Sequence, residues 1–305
     1  MGQMQHTRAA IIGYGNVGRA AADALAASPD FELAGVVRRK AAPGDLLRGH
    51  SWVAPSVSSI TDLEGVQAAL VCVPTRELAK VEFALLESGI SVVDAFDIHG
   101  EAICAHKEAL QPSAISGQAV GVIASGWDPG IDSVIRALME VAAPAGTTYT
   151  NFGPGMSMGH SVIARSVPGV EDAISITLPA GRGRHKRAVY VVPDGSRPFQ
   201  DVAGDIASDP CFVDNETEVF PVTSVEPFAD NGHAVRIERE GVIGAASGQV
   251  FEWHMKICNP AATAQIMLGA LRAALRAEPG VYTLLELPIA HMLPGSIGEN
   301  IRRLI

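Results

Sequence analysis

Cysteine is scarce in this sequence. Cys72, Cys104, Cys211 and Cys258 are its 4 cysteines in 305 residues, and no two form a C-x-x-C pair. That spacing argues against a disulfide scaffold and against a zinc cluster, so reduced thiols in a cytoplasmic protein are expected. No other clustering of ligand types suggests a metal site. Positive charge is also in deficit: 23 Lys and Arg stand against 33 Asp and Glu, a net charge of −10. The basic residues are scattered or confined to short motifs, so a nucleic-acid partner is not expected. No apolar run has the length to cross a bilayer. Met1 to His6 is polar and lacks the apolar centre of a secretion signal, so no membrane partner is expected either. Repeats and low-complexity segments are missing. What is present, 48% hydrophobic and 18% charged residues, suits a globular protein of two domains.

The first forty residues say most. Ala9-Ala10-Ile11-Ile12 runs into Gly13-Tyr14-Gly15-Asn16-Val17-Gly18, and a good helix-forming stretch, Arg19 to Leu25, follows. An apolar strand, a G-x-G-x-x-G turn and a helix start form the dinucleotide-binding fingerprint, in which the pyrophosphate sits on free N–H groups at the helix N-terminus. A second strand then ends in Val37-Arg38-Arg39-Lys40. An acid at that place accepts the ribose 2′-OH of NAD, whereas arginine suits the 2′-phosphate of NADP. Arg38 and Arg39 therefore point to NADP.

Residues 1–125 alternate short apolar runs (8–13, 32–37, 68–73, 90–94, 119–124) with helical segments (16–27, 76–88, 100–110), while 41–62, rich in Pro, Gly and Ser, reads mostly as loop. The expected class is α/β: a Rossmann doubly wound parallel sheet, followed over 126–279 by an α+β domain with a mixed or antiparallel sheet. In that second domain strands are expected at 147–153, 172–178, 186–192, 217–226, 233–240 and 248–257, with helices at 132–141, 198–208 and 263–276. The tail, 280–305, is expected to pack back on the first domain.

Ligands bind at the carboxyl edge of such a sheet. Cys72-Val73-Pro74-Thr75-Arg76, Asp94-Ala95-Phe96-Asp97-Ile98-His99 and Ser125-Gly126-Trp127-Asp128-Pro129-Gly130 end the third, fourth and fifth strands. Asp97 and Asp128 suit binding or deprotonation of a substrate ammonium; as residues before helices they suit capping equally. Asn151 to His160 is glycine-dense and reads as a loop open to a ligand. In His185-Lys186-Arg187 the first and third side chains share a strand face, and Arg187 is able to fork onto a carboxylate; a surface basic run explains the triplet too. His233 and Asn259-Pro260 stand out only mildly.

These motifs together resemble the meso-diaminopimelate dehydrogenase family, NADP-dependent amino-acid dehydrogenases of bacterial lysine and cell-wall precursor synthesis. The resemblance runs over nearly the whole chain. It is carried most specifically by Gly126-Trp127-Asp128-Pro129-Gly130 and by Asn151-Phe152-Gly153-Pro154-Gly155-Met156-Ser157-Met158-Gly159-His160-Ser161. The short length and the M-S-M-G-H-S wording resemble the Symbiobacterium-like subgroup of broader specificity. The resemblance implies cofactor contacts from Tyr14, Gly15, Asn16, Val17, Arg38, Arg39, Cys72, Pro74, Thr75, Arg76 and Asp97. It places Asp97, Trp127 and Asp128 at the reacting D-centre. Phe152, Met158 and Gly159 would line the substrate site, and Thr177, Arg187, His233 and Asn259 would hold the distal L-centre. Cys258 departs from the family pattern, where a polar residue is expected.

The implied reaction is reversible oxidative deamination of meso-2,6-diaminopimelate, with ammonia released and the two domains closing over the substrate. Side activity on D-amino acids and a homodimer formed through the second domain are further implications. Two other readings stand beside it: another NADP-dependent reductase, similar to dihydrodipicolinate reductase, or a non-enzymatic NADP sensor.

Overall fold

The computed structural model describes residues 6–97, 99–229 and 232–305, with the side chain of Met158 outside that description. The chain opens with β1 (Thr7–Ile12), α1 (Asn16–Ala26) and β2 (Phe31–Val37). Next come two short strands, β3 (Leu46–Arg48) and β4 (Val53–Val57), in the segment expected to be mostly loop. Pro55 is tolerated there because β4 lies near the sheet edge, beside the three-residue terminal strand β3. Then follow β5 (Ala68–Val71), α2 (Thr75–Glu87), β6 (Ser91–Asp94), α3 (Glu101–Ser116), β7 (Val120–Val122) and α4 (Ile131–Ala142).

The middle of the chain forms β8 (Ala145–Phe152), β9 (Gly155–Met156), α5 (Met158–Ser166), β10 (Val170–Gly181), β11 (Arg184–Pro193), α6 (Phe199–Ser208), β12 (Glu216–Pro221), β13 (His233–Ile243) and β14 (Ala246–Ile257). The glycine-dense loop is thus shorter than expected: strand β9 and helix α5 take up half of it. The chain ends with α7 (Asn259–Ala274), β15 (Gly280–Tyr282) and short helical turns.

Two compact units result: residues 1–134 with 260–305, and residues 135–259. Residues 126–134 and 260–279, assigned by the sequence reading to the second domain, therefore belong to unit 1. The reason is hydrophobic: Ala264, Met267, Leu268, Leu271 and Ala274 of α7 pack into one core with Ile11, Leu25 and Phe31.

Unit 1 is built on an eight-stranded sheet in the order β15-β7-β6-β5-β1-β2-β4-β3, parallel except for the β3–β4 pair. Its strands alternate faces, as a period of two requires. Ala9, Ile11, Ala68 and Leu70 face one core. Ala10, Ile12, Ala69 and Val71 face the other, with Leu78, Leu86 and Leu110 of α2 and α3. Unit 2 has a four-stranded sheet, β12-β11-β10-β9, and a three-stranded antiparallel sheet, β14-β13-β8. Val202 and Ile206 of α6 and Ala164 of α5 cover Ala173, Val189 and Val191 of the first of these sheets.

Candidate active site

In unit 1 the turn after β1 is shaped by close backbone approach. A Cβ on Gly18 would lie 2.2 Å from the Gly13 carbonyl oxygen, and one on Gly13, at φ +94°, would lie 2.6 Å from the Cys72 carbonyl oxygen. Only glycine fits both places. At Gly15 a Cβ would meet nothing within 4 Å. Gly15 is also the N-cap of α1, with no side-chain cap and no acid in the first turn. The first N–H groups of the helix are therefore presented to open space, which fits a pyrophosphate. Tyr14 beside them is half-buried under the Arg19 guanidinium, 5.5 Å from the ring centre.

The two arginines after β2 differ. Arg38 is braced: its Nε donates to Ser56 Oγ at 2.7 Å and its Nη2 to Asp45 Oδ2 at 3.0 Å. Arg39 has a side chain 87% exposed and only a 3.7 Å ion pair, to Glu77. One planar group is held in place and the other is free to swing, a workable pair for a phosphate. Asp45 and Ser56, which set the Arg38 geometry, lay in the segment read as loop and were not singled out by the sequence. Thr75 and Arg76 open α2 behind Pro74, with Arg76 exposed. Burial, followed by the nearby Asp94 charge, pushes the Cys72 thiol up to about 12, so it stays protonated.

At the carboxyl edge of β6 and β7, Asp97 is exposed and Trp127 is buried. Desolvation lifts the Asp97 carboxyl above its usual range; His99 opposes that shift and Asp128 adds to it, so the two acids share one electrostatic environment. Both loops are tied to Asp94. Its Oδ1 accepts the Phe96 N–H at 2.5 Å and the Ala124 N–H at 3.0 Å, and its carbonyl accepts the Ser125 N–H at 2.9 Å. Sequence reading placed Asp94 in the motif but gave it no role.

In unit 2 the strand register assembles a polar row: Gly155 of β9 opposite Thr177 of β10, and Thr177 opposite Arg187 of β11. Arg187 Nη1 donates to Thr177 Oγ1 at 2.6 Å. Its Nε is buried with no acceptor, and burial alone lowers its pKa; among the described residues it has no ion pair. A guanidinium desolvated without an anion is costly. His185, two residues away, accepts the Phe152 N–H at 3.1 Å through Nε2 and lies 5.7 Å from the Phe152 ring. That bond requires an unprotonated Nε2. Desolvation, then the Arg187 charge, lowers the pKa of both His185 and His160. Gly159 is exposed near the start of α5. His233 opens β13 opposite Ile257, two residues before Asn259, and burial lowers its pKa. The side chain of Met158, expected to line the site, lies outside the described residues.

The sequence is similar to known proteins along its whole length. Residues 126–183 match the diaminopimelic acid dehydrogenase C-terminal domain, and residues 7–94 match the oxidoreductase family with an NAD-binding Rossmann fold. Meso-diaminopimelate D-dehydrogenase of Bacteroides fragilis is 45% identical over 302 residues, covering 99% of this chain and 100% of that protein. The fold matches Corynebacterium glutamicum DAP dehydrogenase in complex with DAP, with a TM-score of 0.81, 26% identity, and 98% and 99% of the two chains covered. It also matches an engineered D-amino acid dehydrogenase bound to NADP+, with a TM-score of 0.76, 25% identity, and 99% and 100% covered.

Proposed function

The chain belongs to the meso-diaminopimelate D-dehydrogenase family, and from that premise we propose that it oxidises the D-centre of meso-2,6-diaminopimelate with NADP, releasing ammonia and leaving the L-centre intact. The observation that carries this reading is Arg187, half-buried, hydrogen-bonded to Thr177 and left with a buried Nε–H that no described residue answers. A carboxylate supplies the two lone-pair directions that such a group lacks. Thr177, His233 and Asn259 add polar contacts for the same L-end of the substrate. Holding that end leaves the D-centre as the reacting one.

NADP, when bound, supplies the hydride acceptor. The residues do the orienting: the Gly13–Gly18 turn holds the pyrophosphate, and Arg38 and Arg39 hold the 2′-phosphate. Asp97, with its raised pKa, and Asp128 hold the substrate ammonium and take up its proton as the amine becomes an imine. Support for NADP over NAD comes from the arginine pair after β2, with no acid in its place, and from the NADP+-bound relative. A homodimer in the cytoplasm completes the proposal. The dimer is supported by β14, a sheet-edge strand that carries Trp253 at 43% exposure.

Steady-state NADPH formation tests the reading. Turnover is expected with the meso isomer, with little on the LL isomer and a lower rate on D-alanine. NAD should be a much poorer acceptor, and Arg38→Ala with Arg39→Ala should erase that preference. No reduction with any isomer would favour the sensor alternative, and equal use of NAD would remove the phosphate assignment.

A further inference from the structure

Three buried titratable side chains of unit 1 have no part in the chemistry above. Glu82 of α2 and Asp94 at the end of β6 are 0% exposed, and the His106 side chain of α3 is 9% exposed. One ligand-type atom from each lies within 4.8 Å of the others. His106 Nε2 and Glu82 Oε2 are 2.9 Å apart. Glu82 and Asp94 are hydrogen-bonding neighbours, and each keeps one buried oxygen, Oε1 and Oδ2, without a further donor among the described residues. Two facing carboxylates in a dry interior repel each other unless a proton lies between them. A metal ion fits less well: two ligands on one ion sit roughly 3.3 Å apart, and the His106–Glu82 contact is already a direct hydrogen bond.

The cluster is joined to the reacting edge of the sheet. Asp94 Oδ1 gathers the N–H groups of Phe96 and Ala124. Ala124 sits at φ +53°, a left-handed conformation that an alanine adopts only when its surroundings enforce it. The Phe96 ring stacks on His106, with centroids 4.4 Å apart and planes at 6°. Phe96 is therefore gripped at its backbone and its ring, one residue before Asp97. Ala124 is gripped three residues before Trp127.

We propose that Glu82, Asp94 and His106 form one proton-sharing unit whose task is to position the loops bearing Asp97 and Trp127-Asp128. They are positioning residues, since they act through those loops. Burial and then the facing Glu82 carboxyl raise Asp94 well above the usual carboxylate range, burial raises Glu82, and burial lowers His106. In this unit the two facing carboxyls share one proton, and a neutral His106 donates Nε2–H to Glu82. Among the described residues, the other titratable group that interacts with Asp94 is Cys72, beyond the end of β5, which stays protonated.

The experiment combines infrared spectroscopy of the full chain with kinetics; only the kinetic half rests on the reaction proposed above. The parent should show a protonated-carboxyl C=O band at neutral pH that Glu82→Gln removes, because Asp94 then ionises beside an amide donor. Asp94→Ala should lower kcat about ten- to hundredfold with KM for NADP nearly unchanged. Asp94→Asn, which keeps an acceptor for both N–H groups, should restore most of that loss. Glu82→Gln should also remove an alkaline ionisation from the pH profile of kcat. Absence of the band in the parent, or its persistence in Glu82→Gln, overturns the shared proton even if the alanine variant fails to fold. Equal impairment by Ala and Asn at position 94, or an unchanged pH profile in Glu82→Gln, overturns the positioning role. A parent inactive on diaminopimelate refutes the reaction and leaves the infrared result to decide the proton.

Discussion

Arg239 and Arg187 lie on different sheets of unit 2, Arg239 buried and Arg187 half-buried, and their surroundings differ. Arg239 is 3% exposed, and each of its nitrogens has an acceptor: Nε on the Ala143 carbonyl at 2.8 Å, Nη1 on Thr148 Oγ1 at 2.6 Å, and Nη2 on the Pro144 carbonyl at 3.3 Å. Among the described residues Arg187 has one hydrogen-bond partner, Thr177, and an orphaned Nε. Burying a cation is expensive in either place. Arg239 offsets that cost within the protein and so cross-links β13 to the segment after α4. Arg187 leaves the cost standing, and a ligand carboxylate is what would meet it. Residue type is alike; what differs is the supply of acceptors, full around Arg239 and incomplete around the half-buried Arg187.

The contrast can be broken by truncation. Arg239→Ala strands two carbonyls and a hydroxyl, so urea unfolding should show a loss of about 3 kcal/mol, with activity of the folded fraction retained; a loss under about 1 kcal/mol would erase the distinction. Arg187→Ala should behave in the opposite sense. Losing a charge-assisted pair of about 1.5–3 kcal/mol lowers kcat/KM for meso-diaminopimelate roughly ten- to hundredfold, while thermal stability holds or rises because a desolvated charge has gone. An unchanged kcat/KM would remove Arg187 from the site.

The smallest effect sharpens the comparison from unit 1, where Arg272 has a close carboxylate, Nε lying 2.6 Å from Asp30 Oδ2, against 3.6 Å from Arg239 Nη1 to Glu140 Oε1. Burial pulls the Asp30 carboxyl up, but hydrogen bonds from Arg272 and Ser28 outweigh it and leave it below its ordinary 3.8. The folded value is depressed, so this contribution is complete above pH 3.8 and is lost as pH falls through the lower folded value. Asp30→Asn should flatten the acid limb of a stability-against-pH curve slightly, since Asp30 is partly exposed. A parent curve with the same slope would exclude the pair as a contributor.

Much of unit 1 was legible because its signals are local. The glycine turn, the alternating strands and the acids at strand ends each lie within a few consecutive residues. Strands β3 and β4 were not legible, because edge strands carry the Pro and polar residues that elsewhere mark loops. The unit boundary was displaced for a related reason: an alanine-rich helix announces that it is a helix, not which core it fills. Arg187 was visible as one of two readings, a clamp or a surface basic run. Its partial burial and its orphaned Nε, invisible in the sequence, are what support the clamp, and the Arg187→Ala kinetics decide it.

The sequence by itself determined the dinucleotide fingerprint, the arginines after β2, the class of fold and the family, since each is written in short runs whose spacing is set by backbone geometry. Tertiary structure alone decided which charges are satisfied. Glu82, Asp94 and His106 stand 12 residues apart in turn, on a helix, a strand and another helix. Nothing in their spacing brings them together. Only the packing of α2 and α3 on the sheet removes the water between them, and removing water is what makes a shared proton, like the unanswered N–H of Arg187, count for anything.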